Sequence, residues 1–311
     1  MAKLKDLAQL PEQLSAGHRL CPGCGVPPIF RLGLRQTSAN LLVGGATGCL
    51  EVSSSIYPYS AWKCSFIHNA FENVAATVSG AEAAYKALKR RGKMEHEYKF
   101  LAFGGDGGTY DIGLQSLSGA MERGHNMVYV CYDNEAYQNT GNQRSSSTPM
   151  GSNTTTTPVG KKSYGRVGQR KDLTAILIAH HIPYVAQGLI SNWKDLGHKF
   201  ERAFEIEGPC FINVLAPCIP GWKIGEDAMV DIARLAADTC FWPCYEVDHG
   251  VWKLNYKPKE KLPVIEFLKP QGRFRHLFRP ENKHVIDLLQ EEVDERWSEI
   301  LRNCEASKPA A

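Results

Sequence analysis

Two short apolar runs in this chain stop at loops suited to metal and anion chemistry. Phe100-Leu101-Ala102-Phe103 leads into Gly104-Gly105-Asp106-Gly107-Gly108, and residues 127–132 lead into Asp133-Asn134-Glu135-Ala136. Short apolar runs that end in such loops predict buried strands. Strands that carry ligand loops at their carboxyl ends belong in a parallel α/β sheet. The rest of the chain fits that frame. Residues 41–45 predict a further buried strand ending in glycine, and residues 71–89 carry Ala75, Val78, Ala81, Ala84, Tyr85 and Leu88 at helical spacing. Helices are also predicted over 112–122, 173–180 and 193–206, and strands over 184–186 and 211–215. The alternation implies an α/β fold with a doubly wound, mostly parallel sheet.

Residues 144–162 break the pattern. Ser145-Ser146-Ser147-Thr148-Pro149 and Thr154-Thr155-Thr156-Thr157-Pro158 have no apolar period, and a long polar loop inside an α/β domain is usually functional or disordered. After about residue 238 the chain is rich in Pro and Lys, with a final helical stretch over 280–304. Two segments are therefore expected: an α/β domain over 1–238 and a C-terminal arm over 239–311. The arm is expected to pack on a partner subunit, since Phe241, Trp242, Trp252 and Phe267 would otherwise be poorly covered.

The 311 residues carry a formal net charge of +3, and the Lys and Arg are scattered, which argues against a nucleic-acid partner. No run reaches the roughly 18 apolar residues of a membrane span, so the reading is a cytoplasmic chain with no membrane partner. Ten cysteines in a reducing compartment point to ligands, buried thiols or redox chemistry.

Asp106 after a buried strand can bind Mg²⁺, while Gly105, Gly107 and Gly108 let backbone N–H groups approach a phosphate. Mg²⁺ prefers oxygen donors; Asn134 offers a second and the Ala136 carbonyl a third. Cys21 and Cys24 form a Cys-x-x-Cys pair, whereas Cys49 and Cys218 arrive singly from separate segments. Spacing alone leaves structural zinc and an iron–sulfur cluster both open. Cys64 and Cys131 read as buried small hydrophobes and Cys240 and Cys244 as packing residues.

Over residues 14–222 the chain resembles the β subunit of multi-subunit pyruvate:ferredoxin oxidoreductases, in the wider 2-oxoacid:ferredoxin oxidoreductase family. The likeness is carried by Gly17-His18-Arg19, Cys21-x-x-Cys24-Gly25, Ala46-Thr47-Gly48-Cys49-Leu50-Glu51, Tyr57-Pro58-Tyr59 and His68-Asn69-Ala70-Phe71-Glu72-Asn73. It continues through Gly105-Asp106-Gly107-Gly108-x-x-Asp111-Ile112-Gly113, Asp133-Asn134-Glu135-Ala136-Tyr137-x-Asn139-Thr140-Gly141, Thr148-Pro149, residues 154–161 and Cys218-x-Pro220-Gly221-Trp222. The resemblance implies thiamine diphosphate held through Mg²⁺ by Asp106, Asn134 and the Ala136 carbonyl. Gly48, Cys49, His68, Gly105, Gly107, Gly108 and Thr140 are its expected companions. It also implies one [4Fe–4S] cluster on Cys21, Cys24, Cys49 and Cys218, with Asn139 facing the substrate as the catalytic residue. Val26 stands where many pyruvate enzymes of the family carry Glu.

The implied activity is oxidative decarboxylation of pyruvate with coenzyme A, passing single electrons to ferredoxin. Another 2-oxoacid or oxalate as substrate, and a non-catalytic electron-transfer subunit, are the alternatives. In this family the Glu that activates the aminopyrimidine comes from a partner α subunit. No Cys-x-x-Cys-x-x-Cys-x-x-x-Cys run occurs here, so ferredoxin-type clusters are expected on further subunits or domains.

Overall fold

The computed structural model describes residues 4–308; residues 1–3 and 309–311, the outer ends of the two expected segments, lie outside it. Along the chain, β1 (Asn40–Ala46), β2 (Ser65–Asn69), β3 (Tyr98–Gly105) and β4 (Val128–Asp133) are followed by a small hairpin of β5 (Val159–Gly160) and β6 (Ser163–Tyr164). Then come β7 (Tyr184–Leu189), β8 (Cys210–Leu215), β9 (Tyr245–Asp248) and β10 (Val251–Leu254). Apart from the hairpin they form one eight-stranded sheet in the order β10-β9-β7-β8-β4-β3-β1-β2. Pairing from β2 through β7 is parallel, and β9 and β10 add antiparallel strands at the far edge. The expected doubly wound, mostly parallel sheet is present.

β4, β7 and β8 are buried at every position, because helices cover both faces of a parallel sheet and leave no side for polar residues. Register then sets the chemistry. Gly104 pairs with Cys131 and Gly105 with Tyr132, which brings the loops after β3 and β4 side by side. The helix Val74–Arg90 ends on Lys89 and Arg90, cations that suit its negative pole.

The expected helix over 112–122 is present as the α-helix Leu114–Glu122, preceded by a π-helical turn, Gly107–Ile112, within the glycine loop. The C-terminal segment differs from expectation. Phe241, Trp242 and Phe267 are buried in this chain's own core beside Trp222, Phe274 and Leu277. Trp252 stacks on Tyr245 with ring centroids 5.5 Å apart. The cover expected from another subunit comes from the chain itself, through β9, β10 and the helix Lys283–Ala306.

An aromatic stack lies beneath the front of the sheet. Phe103 contacts Phe30 at 5.1 Å, Trp62 at 5.5 Å and Tyr132 at 6.3 Å between ring centroids, and it is fully buried. Phe103→Ala should therefore cost about 3–5 kcal/mol, as deletion of a buried aromatic ring does. Urea unfolding of the isolated chain measures it. A loss below about 1 kcal/mol would mean that the stack is not a structural support.

Candidate cofactor and metal site

Leaving β1 the chain goes first to β2 on one side and then to β3 on the other, so the winding reverses at β1. Ligands of open α/β sheets sit at such a reversal, beyond the carboxyl ends of the strands. The cleft there is lined by Thr47, Gly48 and Cys49 after β1, by Gly105, Gly107 and Gly108 after β3, and by Asn134, Ala136, Asn139 and Thr140 after β4. Two of the glycines are needed for close approach. A Cβ on Gly48 would lie 2.5 Å from the Tyr132 hydroxyl, and one on Gly107 would lie 2.3 Å from the Tyr137 ring.

Asp106 is wholly buried. Burial, and then the neighbouring Asp133 carboxylate, push its carboxyl well above the usual range, against hydrogen bonds that favour the charge. The Ser145 hydroxyl donates to one carboxylate oxygen, and the Asn134 amide donates to the other at 3.3 Å. Among the described residues no cationic side chain pairs with it. The side-chain oxygen of Asn134 stands 2.8 Å from Asp106 Oδ1 and 2.8 Å from the Ala136 carbonyl oxygen. Three acceptors facing one another are relieved if the amide turns over to donate, or if a cation sits among them. Adjacent oxygens around an octahedral Mg²⁺ at about 2.0–2.1 Å stand roughly 2.9 Å apart. The donor set fits that ion.

The four cysteines line a second cavity of about 180 Å³, together with Val26, Asn134, Gln138, Asn139 and Pro217. The Gly25 amide donates to the Pro217 carbonyl at 3.4 Å, which places the Cys21–Cys24 turn beside the Cys218 segment. Burial pushes the Cys24 thiol up to about 11 and the Cys218 thiol up to about 12. Thiols so placed ionise when a metal takes the proton's place. No group of three His, Cys, Asp or Glu among the described residues is gathered tightly enough for a single ion. The two cavities share a wall: Cys49, Asn134, Gln138 and Asn139 line both.

His68 lines neither. Its Nδ1 bonds to the carboxylate of buried Glu51, whose other oxygen has no partner. Cys131, Cys240 and Cys244 are buried.

Several residues that support the site were not identified from sequence. In the polar loop Ser145, Ser146 and Ser147 donate in turn to Asp106, Asp111 and Asp133. Glu135 sits in the left-handed region (φ 64°), and its carboxylate is held by Arg170 at 3.0 Å and Arg273 at 2.5 Å. The polar run could have signalled the serines. Nothing local marks the two arginines.

Residues 46–214 match the family described as thiamine pyrophosphate enzyme, C-terminal TPP binding domain. The pyruvate synthase subunit PorB of Thermotoga maritima is 53% identical, covering 98% of this chain and 97% of its own. The subunit of the same name from Methanocaldococcus jannaschii is 49% identical, over 92% of this chain and 95% of its own. The ketoisovalerate oxidoreductase subunit VorB of Pyrococcus abyssi is 42% identical over 94% of each chain. A solved 2-oxoglutarate:ferredoxin oxidoreductase from Magnetococcus marinus shares the fold, with a TM-score of 0.56 and 23% identity over 72% of this chain and 79% of its own. Among the described residues no helix is long and apolar enough to cross a membrane. By identity and coverage the chain belongs to the 2-oxoacid:ferredoxin oxidoreductase family, among the relatives of the pyruvate synthase PorB subunits.

Proposed function

We propose that this chain is the β subunit of a pyruvate:ferredoxin oxidoreductase, holding thiamine diphosphate through Mg²⁺ in the first cavity and a [4Fe–4S] cluster in the second. The observation that carries the reading is the shared wall. One set of residues, Cys49, Asn134, Gln138 and Asn139, faces both a metal-ready oxygen triad and four thiols. When bound, thiamine diphosphate supplies an electron sink for decarboxylating a 2-oxoacid, and the cluster accepts electrons singly.

The chain's own residues bind and orient. Asp106, Asn134 and the Ala136 carbonyl hold the metal, and the Gly105–Gly108 turn brings backbone close to a diphosphate. Cys21, Cys24, Cys49 and Cys218 hold the cluster. Asn139 is exposed at the rim of both cavities, where its amide can donate to the substrate. The cleft on this chain encloses only about 20 Å³, against roughly 300–1,000 Å³ for ordinary ligand pockets. An α subunit supplies the remaining wall and the Glu that activates the aminopyrimidine. Coenzyme A and ferredoxin meet the assembled complex, and further ferredoxin-type clusters sit on other subunits or domains. Pyruvate is favoured by the PorB relatives at 53% and 49% identity over the ketoisovalerate subunit at 42%. Reduction of viologen by the complex with coenzyme A and a panel of 2-oxoacids and oxalate tests this. Turnover led by another acid would replace the substrate, and bound thiamine with no turnover would sink the catalytic reading.

Asp106→Ala removes a buried carboxylate that no cationic side chain among the described residues neutralises. Outer partners of a metal site are already worth about 10–100-fold in affinity, so loss of this ligand should weaken thiamine diphosphate binding at least about 100-fold. The apo chain should melt no earlier than wild type. Calorimetry and thermal unfolding report the two effects, and full-strength cofactor binding would rule out the metal assignment.

Cys49→Ser should lower the iron content and the EPR signal of the reduced complex while the sheet stays folded. An unchanged signal removes Cys49 from the ligand set.

Asn139→Ala should lower kcat by about 10²–10³, the usual loss for one transition-state donor, with thiamine and iron retained. Asn139→Asp should be no better, because its charge would face an anionic substrate. Near-normal turnover in the Asp variant would reduce Asn139 to a turn residue.

A further inference from the structure

Arg273 lies in the 3₁₀ segment Gly272–Phe278, outside both cavities, and its side chain is 2% exposed. The guanidinium makes contacts in two directions. Toward β4 it bonds Glu135 at 2.5 Å, one residue from the proposed metal ligands Asn134 and Ala136. Toward β8 it stacks on Trp222, with Cζ 3.9 Å from the ring centroid. Trp222 closes the turn that begins at Cys218, its amide donating to the Cys218 carbonyl at 3.0 Å. The same indole donates from Nε1 to the Asn134 carbonyl at 2.9 Å. One side chain therefore braces the metal loop and the fourth-cysteine turn together. Phe274 at 4.6 Å and the Gln271 carboxamide at 2.6 Å leave it little freedom.

The charge matters as well as the shape. Arginine stays protonated when buried, and this guanidinium lies over the indole that closes the Cys218 turn. A buried positive charge beside that turn favours a cluster that has gained an electron, since the reduced cluster carries one more negative charge.

We propose that Arg273 is a positioning residue that locks the magnesium loop to the Cys218 turn, and that its buried charge holds up the reduction potential of the cluster. This rests on the reading that Cys21, Cys24, Cys49 and Cys218 hold that cluster. Geometry and charge then separate by substitution. Arg273→Lys keeps the charge but loses the planar fork and the stacking. Arg273→Gln loses both.

The test uses the complete complex, with iron content, EPR-monitored redox titration and thiamine diphosphate calorimetry. Both variants should weaken thiamine diphosphate binding by about tenfold, the low end for outer-shell partners of a metal. Only Arg273→Gln should lower the cluster potential; Arg273→Lys should keep it near wild type. Glu135→Gln, which removes a negative charge from the same network, should raise it. Opposite shifts from two touching residues are not produced by loosened packing, and this arm stands even if Arg273→Gln fails to fold. Unchanged potentials with full iron content overturn the charge role, as do equal shifts in the Lys and Gln variants. Wild-type cofactor affinity in both Arg273 variants overturns the positioning role. A wild-type complex without iron overturns the cluster reading itself and the proposal with it.

Discussion

The structure depends on how it accommodates two wholly buried carboxylates, Asp106 and Asp133, on neighbouring strand ends. Buried charges are costly unless paired and hydrogen-bonded, and the two are treated differently. Asp133 accepts from the Ser147 hydroxyl at 2.7 and 2.6 Å and from the Glu135 amide at 3.0 Å, with Arg170 3.5 Å away. Asp106 has hydrogen bonds but, among the described residues, no cationic partner. Asp133 is satisfied by the fold, whereas Asp106 is the carboxylate proposed to take a cation. A carboxylate in that position is where a protein gives up stability for a site.

The cation for the neighbouring group comes from far along the chain. Glu135 is buried in a left-handed conformation that costs a non-glycine residue on the order of 1–2 kcal/mol. Arg170 and Arg273 over-determine it from two other segments. Arg170 rests over Trp242 at 4.8 Å and Phe241 at 5.6 Å, and Arg273 rests over Trp222. The C-terminal aromatics therefore have a second use beyond filling the core. They form the walls that keep two guanidinium groups aimed at one carboxylate, so residues 239–278 help shape a loop more than 100 positions earlier.

This explains what the sequence revealed and what it hid. Strands β1, β3, β4 and β8 were legible because they hold largely buried apolar runs with ligand loops or glycine at their ends. β2 was missed: at the sheet edge, Ser65-Phe66-Ile67-His68-Asn69 needs only half of its residues apolar and so shows no run. β9 and β10 were missed because their cover, and hence their pattern, comes from a distant helix. The helix Val26–Gly33 was missed because two consecutive prolines, Pro27 and Pro28, mask its short apolar period, although proline fits a first helical turn. The direct ligand candidates could be named because their motifs are local. Arg170 and Arg273 could not, since each acts by reaching an acid that only the folded sheet brings near.

The shared wall also accounts for the sequence spacing around Asn134. On the proposed reading an electron donor and its acceptor must be adjacent, yet a diphosphate and an iron–sulfur cluster are both negatively charged and would not share one pocket. A thin partition built from one residue of the first helix turn after β1 and from the loop after β4 meets both demands. Cys49 lines both cavities, while Gln138 donates to the Asn134 carbonyl at 3.1 Å and stiffens the partition. Gly221, where an added Cβ would lie 2.0 Å from the Gln138 side-chain oxygen, lets the Cys218 turn close on that partition. The glycine after the fourth cysteine is thus a condition for the two cavities to sit back to back.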